Sequence, residues 1–164
     1  MERQDIDAEL ATAGAQELLT STSMCHLAYV GKDGSPRVIP IGCFWTGEQV
    51  VISTAPSSPK VAALSARPDV ALTIDVGDIP EQARSLSIRG RASVEIVDGL
   101  TDEYVANARK SLDPEAVAEF EQNSREMYDQ MARIAITPHW VRYYDFGAGR
   151  LPRFLRELAE RNRS

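Results

Sequence analysis

The alternation of apolar runs and turn residues in residues 23–54 constrains the fold more than any other part of the sequence. The run SMCHLAYVG leads into the turn KDG at residues 32–34, SPRVIPIGCFW returns from it, and TGE at residues 46–48 turns the chain again into QVVIST. Glycine adopts the positive φ that tight turns between antiparallel strands require. The pattern therefore predicts three consecutive antiparallel β-strands.

The later sequence predicts three more strands and several helices. The strands are DVALTIDV, SLSIRGRASVEIV with a bulge or bend at Gly90, and RIAITPHWVRYYDF. The helices are an opening segment capped by Asp7, the segment KVAALSAR, and two segments before the last strand, the second of which begins at Asp113 and Pro114. Because a βαβ rhythm is missing, we expect a mainly β (α+β) fold, a six-stranded antiparallel barrel with peripheral helices.

Length and composition indicate a single globular domain over residues 1–164. The chain is 43% hydrophobic and 26% charged, and it contains no apolar run of about eighteen residues that would suggest a membrane span. The opening segment lacks the apolar run and cleavage site of a leader peptide, so we expect a cytoplasmic protein without membrane contact. The net charge of -6 argues against nucleic acid as a partner.

Neither the cysteines nor the histidines suggest a metal centre. Cys25 and Cys43 each lie inside an apolar, strand-like run, where a reduced and buried side chain is the common situation. His26 and His139 are far apart in sequence and lack the carboxylate or cysteine spacing of a metal site. We predict no metal ligand, and the sequence assigns no catalytic residue.

A polar loop that ends in a lysine follows the third strand, in the sequence STAPSSPK at residues 53–60. Ser57 or Ser58 is predicted as a helix N-cap, and the following proline suits the first helical position. The N-terminus of a helix presents unpaired N–H groups and a partial positive charge, to which Lys60 adds a full charge. With the hydroxyls of Ser53 and Thr54, this arrangement suits a phosphate. The alternative is that the serines only cap the helix and the lysine is solvated.

Several short motifs follow one another in a definite order between residues 34 and 71. They are Gly34-x-Pro36 at the start of the second strand, the turn Trp45-x-Gly47, Ser53-Thr54 at a strand end, Lys60 before an apolar helix, and Arg67-Pro68-x-Val70-Ala71. This series resembles the pyridoxamine 5'-phosphate oxidase-like family of split-barrel flavin and deazaflavin proteins. The motifs are specific as a series rather than singly, and the resemblance extends over most of residues 22–146.

The resemblance implies a six-stranded split β-barrel of Greek-key type that forms a homodimer, with a cofactor in the groove between the subunits. The cofactor phosphate would lie near Ser53, Thr54, Ser57, Ser58 and Lys60. Its ring would lie along Arg37, Val38, Ile39, Pro40 and Ile41. The last strand of the partner subunit would close the site with residues equivalent to Trp140 and Arg142, and family members often carry a polar residue at the position of Ser85.

Two departures from the family pattern bear on the cofactor and the substrate. Pro59 stands where the members that hold FMN most firmly tend to have an arginine, so a phosphate would be less well neutralised here. Pro40 and Ile41 stand where the pyridoxamine phosphate oxidases themselves have a lysine. Neither the substrate nor the redox activity of those enzymes therefore follows for this chain from the resemblance.

Three hypotheses about function follow. The first is an oxidoreductase that binds FMN or F420, with FMN slightly favoured, and acts on a small-molecule redox substrate. The second is a protein that binds a flavin, a heme or another small ligand in the same groove without catalysis. The third is an interaction protein that uses the barrel as a scaffold and docks its basic C-terminal helix on an acidic partner.

Residues 147–164 form a basic tail on an otherwise acidic chain. The sequence predicts a short helix there with one apolar face, consisting of Leu151, Phe154, Leu155 and Leu158. Two glutamates oppose five arginines in this segment, namely Arg150, Arg153, Arg156, Arg161 and Arg163. Because the apolar face needs burial and the acidic body offers complementary charge, we expect the tail to dock on its own dimer.

Overall fold

Helices and strands cover most of residues 1–162, the part of the chain that the computed structural model describes. The helices are α1 (Arg3–Leu10), α2 (Ala13–Ser21), α3 (Pro59–Ala66), α4 (Asp102–Ala108), α5 (Pro114–Met127) and α6 (Arg153–Arg161). The strands are β1 (Met24–Val30), β2 (Pro36–Gly42), β3 (Phe44–Trp45), β4 (Val50–Thr54), β5 (Asp69–Val76), β6 (Arg84–Asp98) and β7 (Gln130–Asp145). The tail residue Arg163 lies outside the described residues.

The strands form one antiparallel sheet in the order β2-β1-β5-β6-β7-β4-β3. The long strands β6 and β7 form its centre and pair from Arg84 opposite Asp145 to Asp98 opposite Gln130. β5 pairs with the first half of β6, whereas β4 pairs with the first half of β7. The two ends of this central strand pair therefore have different neighbours, so the shorter strands extend the sheet on opposite sides.

The two edge strands of this sheet are consecutive in the chain. β2 ends at Gly42 and β3 begins at Phe44, so that only Cys43 separates them. The N–H of Cys43 donates to the carbonyl of Ser23 at 3.0 Å, which fixes this corner beside the start of β1. Because consecutive Cα atoms are about 3.8 Å apart, the sheet curls until its edges meet at Cys43, although β2 and β3 do not pair with each other.

The predicted mainly β, antiparallel architecture with peripheral helices is confirmed, but the count of six strands is wrong. The described residues contain seven strands, because the run SPRVIPIGCFW is divided at Cys43 into β2 and β3. Hydrogen bonding does not close the sheet into a barrel, since β2 and β3 remain its edges. Because the chain turns a corner at Cys43, one continuous and mostly apolar run forms both edge strands of the sheet.

The opening helix also differs from its prediction. Asp7 does not cap a helix but lies within α1, where its carboxylate is 2.9 Å from Arg3 Nε. α1 ends before Thr12, which has an extended backbone and donates its hydroxyl to the Glu9 carbonyl at 2.8 Å. This local hydrogen bond competes with helix continuation and divides the segment into α1 and α2.

A bulge at Gly90 bends the longest strand as predicted. The pairing of β6 with β7 shifts register between Arg89 and Gly90. A Cβ atom at Gly90 would lie 2.7 Å from the carbonyl oxygen of Thr137, so the two backbones approach too closely there for a side chain. Glycine at this position therefore allows the bulge.

The main core lies on one face of the sheet. The other face is covered at its β4 end, where Val51 and Ala135 are buried outside the main core, and is exposed towards β2. One ladder row places Leu27, Leu72, Ile88 and Val141 side by side across four strands, and each is at most 2% exposed. Leucines of α2 and α3 are buried in the same cluster. The neighbouring row on the opposite face, here called the outer face, consists of Val38, Ala28, Ala71, Arg89 and Trp140.

The predicted tail helix is present as α6, but its apolar face is not buried. Phe154 is 66% exposed and Leu158 is 51% exposed. The start of the tail is better anchored, because Arg150 donates from Nη2 to Glu9 at 2.6 Å and from Nε to the carbonyl of Tyr143 at 2.8 Å. Glu9 is 8% exposed and also pairs with Arg142, so this carboxylate ties α1, β7 and the tail together.

Candidate functional site

The polar loop lies between the end of β4 and the start of α3, as the sequence predicts. Ser53 and Thr54 are the last residues of β4, and both are half-buried. The hydroxyl of Ser53 is 2.5 Å from that of Thr101, the N-cap of α4, so this serine is held in a fixed orientation. Ser57 is exposed. The loop therefore presents one hydroxyl group that is fixed at the end of β4, that of Ser53, and another that is exposed to solvent, that of Ser57.

Lys60 occupies the first turn of α3, directly after the N-cap. Ser58 is the N-cap residue and Pro59 follows it, but the Ser58 side chain makes no capping hydrogen bond to the helix backbone. Instead, Lys60 Nζ donates to Ser58 Oγ at 2.6 Å. Partial burial lowers the pKa of Lys60, because desolvation disfavours its charged form. A partly desolvated ammonium group thus lies beside the uncapped end of a helix.

The five predicted ring-contact residues of β2 divide between the two faces of an edge strand. Val38 pairs with Ala28 on the outer face and is 68% exposed. Ile39 and Ile41 point the other way and pack against the core. The remaining two, Arg37 and Pro40, are exposed, and Arg37 donates to Asp33 at 2.8 Å. Side chains at this strand therefore contribute to both faces.

The structure brings β2 and the polar loop together. Ile41, Ser53 and Thr54 line one cavity of about 420 Å³. Arg37 and Pro59 line a smaller, shallow cavity of about 280 Å³ near the turn of the first hairpin. The predicted phosphate loop and the predicted ring strand are thus neighbours in a single chain.

The three remaining predicted site residues lie elsewhere, on β6 and β7. Ser85 is opposite Tyr144, and Arg142 is opposite Ser87 in the same ladder. Trp140 is stacked against Arg89, whose Cζ is 4.5 Å from the ring centroid. β6 is the third strand from β2 in the sheet, which corresponds to about 14 Å at the usual strand spacing. One chain therefore does not bring these residues to the β2 edge.

The 420 Å³ cavity contains residues that sequence reasoning missed. It lies between the β2 and β4 ends on one side and α4 and α5 on the other, and we call it the α4–α5 cavity. Its aromatic lining residues are Phe44, Tyr104, Phe120 and Tyr128. α4 contributes Tyr104, Asn107 and Ala108, whose spacing places them on one helical face, and Ser111 follows in the turn after the helix. The spacing in the sequence could have indicated this helical face. It does not show that the face lines a cavity.

Neither a cluster of candidate metal ligands nor a membrane-spanning helix occurs within residues 1–162. Within residues 1–162, no group of three or more His, Cys, Asp or Glu side chains could hold a metal ion. None of the helices in that range is long and apolar enough to cross a membrane. Cys25 and Cys43 are both buried, which confirms the prediction for their side chains.

A curled antiparallel sheet with unpaired edges that meet at one corner, and with a polar loop at the gap between them, defines the split-barrel class. The family model of pyridoxamine 5'-phosphate oxidase matches residues 11–145. The chain therefore belongs to the pyridoxamine 5'-phosphate oxidase family. No curated protein sequence matches it significantly.

Solved structures share this fold. An F420 reductase is 26% identical, with a TM-score of 0.57, and the match covers 77% of this chain and 94% of that chain. A conserved hypothetical protein from Mycobacterium tuberculosis is 19% identical, with a TM-score of 0.63 and coverage of 93% and 89%. HutZ, the heme storage protein from Vibrio cholerae, is 15% identical, with a TM-score of 0.56 and coverage of 77% and 89%.

Proposed function

We propose that this protein is an oxidoreductase that binds a flavin or F420 in a groove between the subunits of a homodimer, with the cofactor phosphate at residues 53–60. The observation that carries the proposal is the position of Lys60, which lies at the uncapped start of α3 with its Nζ 2.6 Å from Ser58 Oγ. The family membership and the similarity to an F420 reductase support a cofactor of the flavin type.

The residues around the start of α3 fit a phosphate group. The Ser58 side chain satisfies none of the first-turn N–H groups of α3. Pro59 has no N–H and the Val61 N–H donates to the Ser58 carbonyl at 2.9 Å, so the backbone donor that remains for a phosphate in this turn is the N–H of Lys60, beside its own ammonium group. A phosphate would offset the desolvation that lowers the pKa of Lys60, since a neighbouring anion favours the ammonium form. Arg37 lies close enough to share a cavity with Pro59 and supplies a second cation at the loop.

The β2 edge fits a flat heterocycle. β2 pairs with β1 on one side only, so part of its backbone N–H and C=O groups has no partner strand among the described residues. Such groups hydrogen-bond polar ring atoms as readily as they would a neighbouring strand. When bound, a flavin or deazaflavin supplies hydride or electron transfer, and the chain contributes position and electrostatics.

The outer face suits a two-fold contact with a second copy. It carries the 68% exposed Val38 together with Ala71, Arg89 and Trp140 in one row across five strands. Ser85, Trp140 and Arg142 are too far from β2 within their own chain to close its site. In a dimer they would close the site of the partner subunit.

A cofactor titration tests the proposal directly. Apoprotein titrated separately with FMN and with F420 should bind at least one of them, and the complex should keep the cofactor absorbance during gel filtration. Absence of binding for both would overturn the proposal. FMN is expected to bind more tightly, and bound cofactor that a chemical hydride donor cannot reduce would favour binding without catalysis.

A further inference from the structure

The α4–α5 cavity contains a buried hydrogen-bond acceptor without a partner. Asn107 lines this cavity and donates from Nδ2 to the carbonyl of Ser23 at 2.9 Å. This bond fixes the orientation of the amide, and it leaves Oδ1 buried with no hydrogen bond within the described residues. A buried carbonyl oxygen without a hydrogen bond is unfavourable, because it has lost its contact with water and gained no partner. Asn107 is therefore a lining residue of the cavity whose amide oxygen is an unpaired acceptor in the described part of the chain.

The absence of a side chain at Gly42 allows this arrangement. A Cβ atom at Gly42 would lie 3.1 Å from Asn107 Nδ2, closer than most side-chain contacts permit. The amide can reach the Ser23 carbonyl because Gly42, the residue of β2 next to it, has no side chain. The end of β2 and the face of α4 are thus shaped together around the amide group.

Four aromatic rings form much of the remaining lining, beside the hydroxyl groups of Ser23, Ser53, Thr54 and Ser111. Tyr104 stacks on Phe120 with a centroid distance of 5.2 Å and meets Tyr128 edge-on at 6.2 Å. Burial raises the pKa of Tyr104, as expected for a phenol beside a poorly solvated space. Flat apolar rings pack well against such aromatic walls, typically with centroids 4.5–7 Å apart.

The charges around the cavity disfavour an anionic ligand. Its lining, among the residues that the structure describes, includes no lysine, arginine or histidine and one carboxylate, that of Glu103. Burial alone would raise the pKa of Glu103, but the hydrogen bond and charge of Arg133 outweigh it and hold that pKa below its ordinary value. Lys110 lies behind Phe44 and donates to the carbonyls of Leu19 and Thr22. A phosphorylated molecule would therefore find no free cation here.

We infer that the α4–α5 cavity takes an uncharged, flat, ring-bearing substrate that donates one O–H or N–H hydrogen bond to Asn107 Oδ1. The assignment as substrate rests on the proposed function, because the cavity meets the proposed cofactor site at Ser53 and Thr54. Asn107 then determines specificity. The buried acceptor rejects ring compounds that lack a donor, and the missing cations reject phosphorylated ones.

Three probes of the same ring system test the inference on the full chain. 2-Naphthol carries the donor, 2-methoxynaphthalene lacks it, and 2-naphthyl phosphate replaces it with an anion. Isothermal titration should give a dissociation constant for 2-naphthol about tenfold lower than for the methyl ether, with the phosphate weakest. Equal affinity for naphthol and its ether, tight binding of the phosphate, or no binding of any probe would overturn the inference.

Variants separate the role of the amide oxygen from general packing. Asn107→Leu should remove the preference for naphthol over its ether, because it removes the acceptor oxygen and keeps a side chain of similar size. Asn123→Leu makes the same change at an exposed position of α5 and should behave like the parent protein. Circular dichroism of each variant checks that it is folded. A preference that survives in folded Asn107→Leu would overturn the assignment.

Parallel titrations with FMN and F420 distinguish failure of this inference from failure of the proposed function. If neither cofactor binds the parent protein, the proposed function fails and the substrate assignment fails with it. If a cofactor binds but the probes show no donor preference, only the substrate class is wrong. Cofactor affinity should be unchanged in Asn107→Leu, because Asn107 lies on α4 and not in the polar loop.

Discussion

Lys60 is the residue on which the proposed cofactor site most depends. Lys60→Met keeps the length of the side chain but removes its charge, so binding of FMN or F420 should weaken by roughly tenfold to a hundredfold, or about 1.5–3 kcal/mol. Lys60→Arg keeps the charge and should lose less. Fluorescence titration of both variants measures the difference. Parent-like affinity in Lys60→Met would identify the lysine as a surface residue without a role in binding.

The same residue predicts a pH dependence of cofactor affinity. Burial lowers the pKa of Lys60, so the free protein loses this charge at a lower pH than an ordinary lysine would allow. The ammonium is present below that pKa and is lost as the pH rises through it. Affinity should therefore fall on the alkaline side, beginning earlier than for an exposed lysine. The profile should flatten in Lys60→Arg, because arginine stays charged, and an equal decline in both proteins would contradict the explanation.

At the residue scale, sequence reasoning works where the signal is local. The N-cap at Ser58 and the first-turn position of Lys60 follow from the residues immediately around them, and the structure shows both. The sequence around Asn107 gives no such signal. The position of its amide depends on two residues that are distant in sequence, Gly42, which leaves room for it, and Ser23, whose carbonyl accepts its hydrogen bond. An orphaned acceptor is a property of the packed molecule.

Gly90 carries the clearest prediction at the scale of a single element. In Gly90→Ala the new Cβ would lie 2.7 Å from the carbonyl oxygen of Thr137 and 2.7 Å from a methyl carbon of Ile136. The carbonyl belongs to the backbone and cannot rotate away, so we expect a loss of about 1–3 kcal/mol in the free energy of unfolding. Chemical denaturation measures it. Ser93→Ala, at an exposed position of the same strand, should change little.

Element boundaries were predictable where turn or cap residues mark them and not where packing decides. The hairpin turn at Gly34 and the capped start of α5 follow their local residues, with Asp113 accepting from the N–H of Ala116 at 2.9 Å. The division of SPRVIPIGCFW at Cys43 is marked in the sequence only by Gly42, which has no positive φ and forms no tight turn. It arises because the sheet has to change direction there, which is a requirement of the whole fold.

For the whole molecule, the outer face predicts association into a dimer. Ala71→Arg places a second positive charge beside Arg89 in the middle of this face and should shift the protein from dimer to monomer in sedimentation velocity. Ala118→Arg makes the same change on the exposed side of α5 and should leave the dimer intact. A monomeric parent protein, or a dimeric Ala71→Arg variant, would exclude this face as the interface.

The tail should stabilise the fold through its first residues. Truncation after Phe146 removes Arg150 and leaves Glu9, which is 8% exposed, with Arg142 as its remaining cationic partner. We expect the free energy of unfolding to fall by about 1–2 kcal/mol. Each kcal/mol lowers the melting temperature of a chain of this size by about 2–4 °C, so the melting temperature should fall by several degrees. Full-length protein carrying Arg150→Ala should show much of the same decrease. If truncation left the melting temperature unchanged, the tail would be an independent appendage.

The truncation also tests whether the tail contributes to ligand choice. Arg150 and Arg156 line a cavity of about 490 Å³ together with Arg142. If the dimer brings this arginine-rich wall to the cofactor groove, the truncated protein should lose more affinity for polyglutamylated F420 than for FMN. Titration of both cofactors against the truncated and full-length proteins gives the comparison, and equal losses would place the tail away from the groove.

The corner at Cys43 has a mechanical consequence for the gap between the sheet edges. Every strand on either side of it is held by ladder hydrogen bonds, whereas the two edges are joined through the backbone of one residue. Cys43 is itself held in place, since its N–H donates to the Ser23 carbonyl at 3.0 Å and its carbonyl accepts from Lys110 Nζ at 3.5 Å. The corner therefore acts as a clasp that joins the two ends of one continuous ladder, and the distance between Ile41 and Thr54 can change only if the curvature of the whole sheet changes.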